Sequence, residues 1–171
     1  IDGEDTPLLP EGLLQPPGGY SAVLSTGGGK WKDFKAFSLR DDPRVRFEVP
    51  AYERLKALYD QAVVVMARAA VAIGQQKAVL EALGERAKLP AVVANAALAK
   101  SVGATRDAIA AQAKGQGEAH PSLATIDETV AGFVTDLESS DQAPNAPLVE
   151  AVALYEKHLE AALAAWQQVQ D

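Results

Sequence analysis

A three-four spacing of apolar residues runs without a break through residues 52–83 and constrains the fold more than any other feature. The stripe has ten positions, nine of them apolar or aromatic and one, Gln76, polar: Tyr52, Leu55, Tyr59, Ala62, Met66, Ala69, Ile73, Gln76, Leu80 and Leu83. An α-helix turns once every 3.6 residues or so, and this spacing therefore keeps one side of a helix facing a partner for about nine turns. A lone surface helix needs no such seam. The stripe therefore predicts a helical bundle or a coiled coil.

Length and composition limit the class of protein. The chain has 171 residues, 48% of them hydrophobic, which suits one bundle domain with an appendage. Its net charge of −7 argues against a nucleic-acid surface, which needs clustered Lys and Arg. The nearest thing to a basic run, Lys30, Lys32 and Lys35, is interrupted by Asp33. The chain has no cysteine, and this excludes disulfides, thiolate metal sites and thiol catalysis.

The first residues and the most apolar window bear on export and membranes. The chain starts at Ile1 and shows no basic start followed by an apolar run, so we expect either a removed leader or a piece of a longer protein. The most apolar window, residues 62–74, contains Arg68 and is too short to span a bilayer. We therefore predict no transmembrane segment.

The segments before the stripe are predicted to form an arm and a hairpin. Residues 1–19 contain Pro7, Pro10, Pro16 and Pro17, and proline fixes φ and removes a donor, so this domain is expected to be an extended arm. Residues 20–49 form the hairpin and its linker: two strand-like runs flank 26–30, a turn with three consecutive glycines. Two strands alone are marginal in water. The hairpin must therefore lean on the bundle or join a sheet that this chain does not supply.

Residues 50–171 are predicted to form four helices. The first covers 51–87, with Pro50 in its opening turn, and the second covers 90–114. The third begins at Pro121 or Ser122 and ends before Ser139, and the fourth begins at Pro147. Short connections favour antiparallel neighbours. The predicted fold is mainly α: an antiparallel four-helix bundle preceded by an extended arm and a β-hairpin.

No catalytic or metal constellation is found in the sequence. Di-iron bundles use Glu-x-x-His pairs, and none occurs; His120 and His158 each stand alone, as is typical of surface or helix-end histidines. Acidic pairs such as Asp136 and Glu138 are expected on solvated helix faces. No serine stands between glycines in the way that a hydrolase elbow requires. We therefore expect no enzyme activity, no metal and no cofactor, with a cofactor-binding bundle as the weakest alternative.

Aromatic residues outside the stripe are the best candidates for partner binding. Tyr20, Trp31, Phe34 and Trp166 are predicted to contact a protein partner. For Trp166 a place in the core is favoured over this contact, and for Trp31 the core and the contact are equally open. The arm has little to bury by itself and is expected to lie along a partner.

Several short motifs resemble the end of bacterial sortilin-like proteins. These are large secreted proteins with BNR-type β-propellers, often labelled glycosyl hydrolases. Residues 16–24 (PPGGYSAVL) are similar to their PPGTYTVRL strand, and residues 37–45 (FSLRDDPRV) are similar to the next strand and its DPRV exit. Residues 140–144 and Trp166 resemble the D-x-x-P loop and the tryptophan of their helical tail. The resemblance implies an exported bacterial protein, periplasmic or extracellular. The propeller lies outside these residues, so the resemblance assigns no catalytic residue.

These observations lead to two expected functions. The first is a non-catalytic, exported accessory or scaffold subunit that stabilises a larger protein assembly, including one on a membrane, through its arm, hairpin and bundle surface. The second is a C-terminal module that braces the propeller of a secreted glycosyl-hydrolase-like protein.

Overall fold

A computed structural model describes residues 15, 17–26, 28, 31–40, 49–139 and 143–170. The elements in order are β1 (Gly18–Thr26), β2 (Trp31–Leu39), α1 (Val49–Ala87), α2 (Pro90–Val93), α3 (Ala96–Lys114), α4 (Leu123–Glu138) and α5 (Ala146–Gln170). The prediction of a mainly helical chain with an antiparallel hairpin is confirmed. Most of the predicted arm, and most of the predicted linker between the hairpin and the first helix, lie outside the described residues.

The predicted stripe is the centre of the helical core. On α1, Leu55, Tyr59, Ala62 and Ala69 are each 2% exposed or less. Side chains from three other helices complete the same core: Ile109 of α3, Leu123, Ile126, Val130 and Leu137 of α4, and Val152, Leu159 and Trp166 of α5. Burial of this kind is the main favourable term in folding. The helices are therefore held together through α1.

Helices α3 and α4 follow one another along α1. Helix α3 starts just after the end of α1, and by Gln112 it has reached Gln76, whose side-chain amide donates a hydrogen bond to the Gln112 side chain. Helix α4 ends at the other end of α1, where the Tyr59 hydroxyl donates to Glu138 Oε1 at 2.7 Å. Both helices therefore run antiparallel to α1, and α4 continues in the direction of α3. The expected alternation of direction does not hold between these two helices.

Helix α5 runs parallel to α1. Three side-chain contacts join the two helices in the same order along each: Gln61 Nε2 to Glu156 Oε2 at 2.7 Å, Arg68 Nη1 to Glu160 Oε1 at 2.5 Å, and Trp166 Nε1 to Gln75 Oε1 at 3.2 Å. Because α4 is antiparallel to α1, α4 and α5 are antiparallel neighbours, as expected. Phe133 of α4 and Tyr155 of α5 pack edge to face, with their ring centroids 5.6 Å apart.

Side-chain caps set two of the helix starts. The predicted helix 90–114 is interrupted at Asn95, whose backbone is extended and whose side chain accepts a hydrogen bond from Leu98 N at 3.1 Å. Asparagine is among the preferred N-cap residues, and this signal divides the segment into α2 and α3. Ser122 Oγ accepts from Thr125 N at 3.0 Å in the same way and caps α4, which begins at Leu123, next to the predicted start at Pro121 or Ser122.

One polar contact set lies inside the core. Gln76, the polar position of the stripe, is 4% exposed, and its amide donates to Gln112 Oε1. Gln112 Nε2 in turn donates to the main-chain oxygen of Ala162 at 3.3 Å. A buried amide without partners would cost free energy, so these bonds fix α1, α3 and α5 at one level.

Among the described residues, one helix could cross a membrane by length and composition alone. It covers Pro50–Ala87, with a mean hydropathy of 1.4 over an 18-residue window. A share of 33% of that window is buried inside the fold, and a core helix passes the same test. The absence of a transmembrane segment therefore stays a prediction.

Two leucines on α5 test which face of this helix is packed. Leu159 is 0% exposed and Leu154 is 50% exposed. We expect Leu159→Ala to lower the free energy of unfolding by about 2–5 kcal/mol, because it removes buried methyl groups and leaves a cavity. Leu154→Ala removes the same atoms and should cost less than about 1 kcal/mol. Urea unfolding followed by helical circular dichroism measures both, and equal losses would contradict the assigned face.

Candidate docking surface

The pairing of β1 with β2 assigns each hairpin residue to one of two faces. The register runs from Gly18 opposite Leu39 to Thr26 opposite Trp31. Successive side chains of a strand point to opposite faces, and directly paired residues share a face. One face carries Tyr20, Ala22, Leu24, Thr26, Trp31, Asp33, Lys35, Phe37 and Leu39. The other carries Ser21, Val23, Ser25, Lys32, Phe34, Ala36 and Ser38.

Five large apolar residues on the first face form what we call the apolar hairpin face: Tyr20, Leu24, Trp31, Phe37 and Leu39. Tyr20 and Phe37 are cross-strand partners whose stacked rings have centroids 6.0 Å apart. Leu24 is 63% exposed, Trp31 49% and Phe37 45%. Asp33 and Lys35 separate Trp31 from Phe37 along β2, whereas Tyr20, Ala22 and Leu24 follow one another on this face along β1. Exposed large apolar residues on one face are typical of an interaction site.

The second face of the hairpin is also uncovered. Its two large apolar residues, Val23 and Phe34, are directly paired and are the most exposed apolar pair of the hairpin. Ser21, Ser25, Lys32 and Ser38 surround them and suit contact with water. The hairpin therefore has one mainly apolar face and one mainly polar face with an apolar pair at its centre.

In the described part of the chain, the helices do not cover the hairpin. Every described residue from 17 to 40 is exposed except Tyr20, which is half-buried. A two-stranded sheet is marginally stable in water and normally packs on a helix or joins further strands. Of the two alternatives left open by the sequence, the described residues favour a sheet continued or covered by another segment or chain.

Three of the four predicted contact residues lie on the hairpin, but not all on one face. Tyr20 and Trp31 belong to the apolar hairpin face, and Phe34 lies on the opposite face. Phe37 and Leu39 of the apolar hairpin face were not predicted as contact residues. The alternation of apolar residues along β2 is the signal that identifies them, once the register places them beside Tyr20 and Gly18.

Trp166 is a core residue and not part of the exposed surface. Its side chain is 3% exposed, and its indole Nε1 donates to Gln75 Oε1 at 3.2 Å. It therefore closes the core between α1 and α5, and its prediction as a partner contact is corrected in favour of the core alternative. A position near the end of a helix is compatible with either burial or exposure. Trp166 is buried because α5 packs along α1 as far as this residue.

The structure brings both histidines to one recess, although the sequence placed each alone. His120, in the α3–α4 connection, and His158, on α5, line a recess of about 180 Å³ together with Gln112 and Ala162. No local motif could show this, because the two positions meet only through the packing of α5. Among the described residues no group of three or more His, Cys, Asp or Glu side chains is placed to hold a metal ion. Two imidazoles alone hold such an ion incompletely.

Arg68 and Glu160 form an exposed ion pair between α1 and α5. The hydrogen bond from Arg68 lowers the pKa of Glu160, and the same bond raises the pKa of Arg68. Because the pKa of this carboxyl is lower in the folded chain, the pair stabilises the fold at pH values above the unfolded pKa. This stabilisation is lost as the pH falls through the folded pKa. The side chains are 43% and 57% exposed, so water and salt screen the pair and its contribution is small.

The two tryptophans give a direct test of the surface. We expect the variant Trp166→Phe, which retains Trp31, to show fluorescence that iodide quenches readily, because Trp31 is half exposed. The variant Trp31→Phe retains the buried Trp166 and should be quenched far less. The two emission signals are compared by quenching titrations on the folded chain. Similar quenching of both variants would contradict either the exposed hairpin or the buried Trp166.

Two glycines in the α3–α4 connection test the loop that carries His120. Both have positive φ, but a Cβ at Gly115 would lie 2.4 Å from Ser122 N, whereas at Gly117 it meets open space. We expect Gly115→Ala to lower the free energy of unfolding by about 2–4 kcal/mol, through backbone strain and overlap together. Gly117→Ala should cost roughly 1 kcal/mol from strain alone. Thermal or urea unfolding measures the difference, and equal costs would contradict the close approach at Gly115.

Comparisons of this chain with protein-family models, with curated proteins and with solved structures give no match. We therefore infer function from the surface that the chain itself presents, and above all from the apolar hairpin face.

Proposed function

We propose that this chain is a non-catalytic accessory or scaffold subunit that stabilises a larger protein assembly, with the hairpin as its docking element. The apolar hairpin face carries the proposal, because large apolar residues lie exposed there on a sheet that is too small to be stable by itself. In this proposal the helices are the scaffold: α1, α3, α4 and α5 form one bundle in which α3 and α4 follow one another along α1, with α2 as a single turn. The arm, residues 1–19, would lie along the same partner.

The chemistry of the face indicates what it would bind. Trp31 and Phe37 are aromatic and about half exposed, and aromatic side chains commonly supply most of the energy of an interface. A partner sheet packed face to face would lie about 10 Å away and fill the space between the side chains. Asp33 and Lys35 on the same face would orient the partner by charge. The expected partner is thus a protein with an apolar sheet layer.

The cellular setting of the proposal comes from the sequence resemblance. The motifs at residues 16–24 and 37–45 are similar to segments of exported bacterial proteins, and a periplasmic or extracellular place is therefore part of the proposal. An assembly at the outer surface of a membrane would suit a subunit that acts by contact.

A second candidate function is a C-terminal module that braces a secreted β-propeller. One observation favours it: β1 covers most of the motif at 16–24, and β2 contains the first residues of the motif at 37–45. Two strands taken from a β-sandwich would show the uncovered apolar face that this hairpin shows. In this case the cover would come from the same, longer polypeptide.

Isolation of the native particle tests the proposal. The chain is tagged in its source organism, extracted gently from membranes and the soluble fraction, and sized under native and then denaturing conditions. We expect an 18.0 kDa chain that migrates natively with a larger assembly. The double variant Trp31→Ser/Phe37→Ser should be lost from that assembly while its helicity is unchanged.

A matched pair of exposed valines on α1 provides the control. Val64 and Val71 are 55% and 63% exposed, and Val64→Ser/Val71→Ser should remain in the assembly. Loss of both double variants to the same extent, or a wild-type chain recovered alone, would contradict docking through the hairpin. Recovery only within a much longer polypeptide would favour the propeller module instead.

A further inference from the structure

The outer edge of β2 is open in the described part of the chain. The sheet has two strands, so β2 is paired with β1 on one side alone among the described residues. Unpaired main-chain N–H and C=O groups along such an edge form a template for another strand. At the centre of β2, Phe34 N donates to the side chain of its own neighbour, Asp33 Oδ1, at 2.9 Å. This donor is therefore covered by a side chain that can move away when a strand arrives.

The residues along this edge are complementary to themselves. Around Phe34 the sequence reads Trp31-Lys32-Asp33-Phe34-Lys35-Ala36-Phe37. If a second copy of β2 pairs antiparallel with a two-fold axis at Phe34, Asp33 of each copy lies opposite Lys35 of the other. Trp31 then lies opposite Phe37 of the second copy. Opposite-charge and aromatic pairs are the cross-strand contacts that stabilise antiparallel sheets.

The charges also select this register over its neighbours. Moving the axis by one residue places Asp33 opposite Asp33, or Lys35 opposite Lys35, and like charges directly opposite each other are destabilising. With the axis at Phe34, Lys32 faces the uncharged Ala36 and no like charges are directly opposed. The sequence therefore specifies one pairing of the strand with itself.

We propose that two copies of this chain pair through the outer edges of their β2 strands and form a four-stranded antiparallel sheet. On the polar face, Phe34 would meet Phe34 of the second copy, with the cross-strand Val23 of each copy on either side. Phe34 is 75% exposed and Val23 62% exposed in the single chain, so this row has much surface to bury. On the other side, the two apolar hairpin faces would become continuous. A four-stranded sheet also meets the strand number that independent stability requires.

Sedimentation of the purified full chain tests the pairing without any other partner, so its result is separate from that of the assembly experiment. Over roughly 1 μM to 1 mM we expect a reversible change from 18.0 kDa to twice that mass, since an edge of this length gives a small interface. Lys35→Asp places like charges across the axis and should raise the dimer dissociation constant at least about 10-fold.

Two further variants make the test specific. Asp33→Lys/Lys35→Asp restores opposite charges across the axis and should return the dissociation constant to within about 3-fold of wild type. Lys32→Asp makes the same change of net charge at a position opposite Ala36 and should also stay within about 3-fold. Far-ultraviolet circular dichroism checks that each variant keeps its helices.

Several outcomes would overturn the inference. A wild-type chain that stays at 18.0 kDa throughout would do so, as would a dimer that Lys35→Asp and Lys32→Asp weaken equally. A charge-swapped double variant that fails to recover would also exclude this register. Recovery of the double variant, with Lys32→Asp unaffected, would support the pairing as drawn.

Discussion

The apolar stripe along α1 is the surface on which the other helices of the core pack. Helices α3, α4 and α5 all pack on it, and α3 and α4 occupy successive stretches of its length. Because the stripe is long and the helices beside it are shorter, more than one helix is required to cover it. The buried amides of Gln76 and Gln112 then fix where α3 lies, since apolar contact alone would allow the helix to slide.

No described hairpin residue belongs to the core around the stripe of α1. The chain therefore has two parts that differ in how much apolar surface they bury. The helical part buries Tyr59, Leu159 and Trp166 within itself. The hairpin leaves Trp31 and Phe34 in water, although aromatic side chains gain most from burial. The gain from burying large apolar side chains accounts for both parts. The helices bury theirs within the chain, and in the proposal the hairpin buries its own against a further strand or sheet. Docking to a partner and pairing with a second copy use different surfaces of the hairpin, its apolar face and its outer edge.

Local pattern predicted local structure well, because spacing and capping act over a few residues. The stripe of α1, the antiparallel hairpin and the start of α4 were all predicted from the sequence. The cap at Asn95 was equally local and was overlooked. The common direction of α3 and α4 and the shared recess of His120 and His158 could not be predicted from the sequence, because both depend on the direction in which a connection leaves its helix. The hairpin surface was found only in part, since a face needs a register as well as an alternation.

Amide hydrogen exchange of the full chain, read residue by residue at a concentration below any dimerisation, tests the central claim most directly. The claim is that the hairpin draws no stability from the helical core. It predicts that the amides of β1 and β2 exchange far faster than those of the stripe of α1. It also predicts that low urea accelerates exchange of the stripe amides and leaves the exchange of the hairpin amides unchanged. Hairpin amides that are as protected as those of α1, and that lose protection in step with them as urea rises, would contradict it.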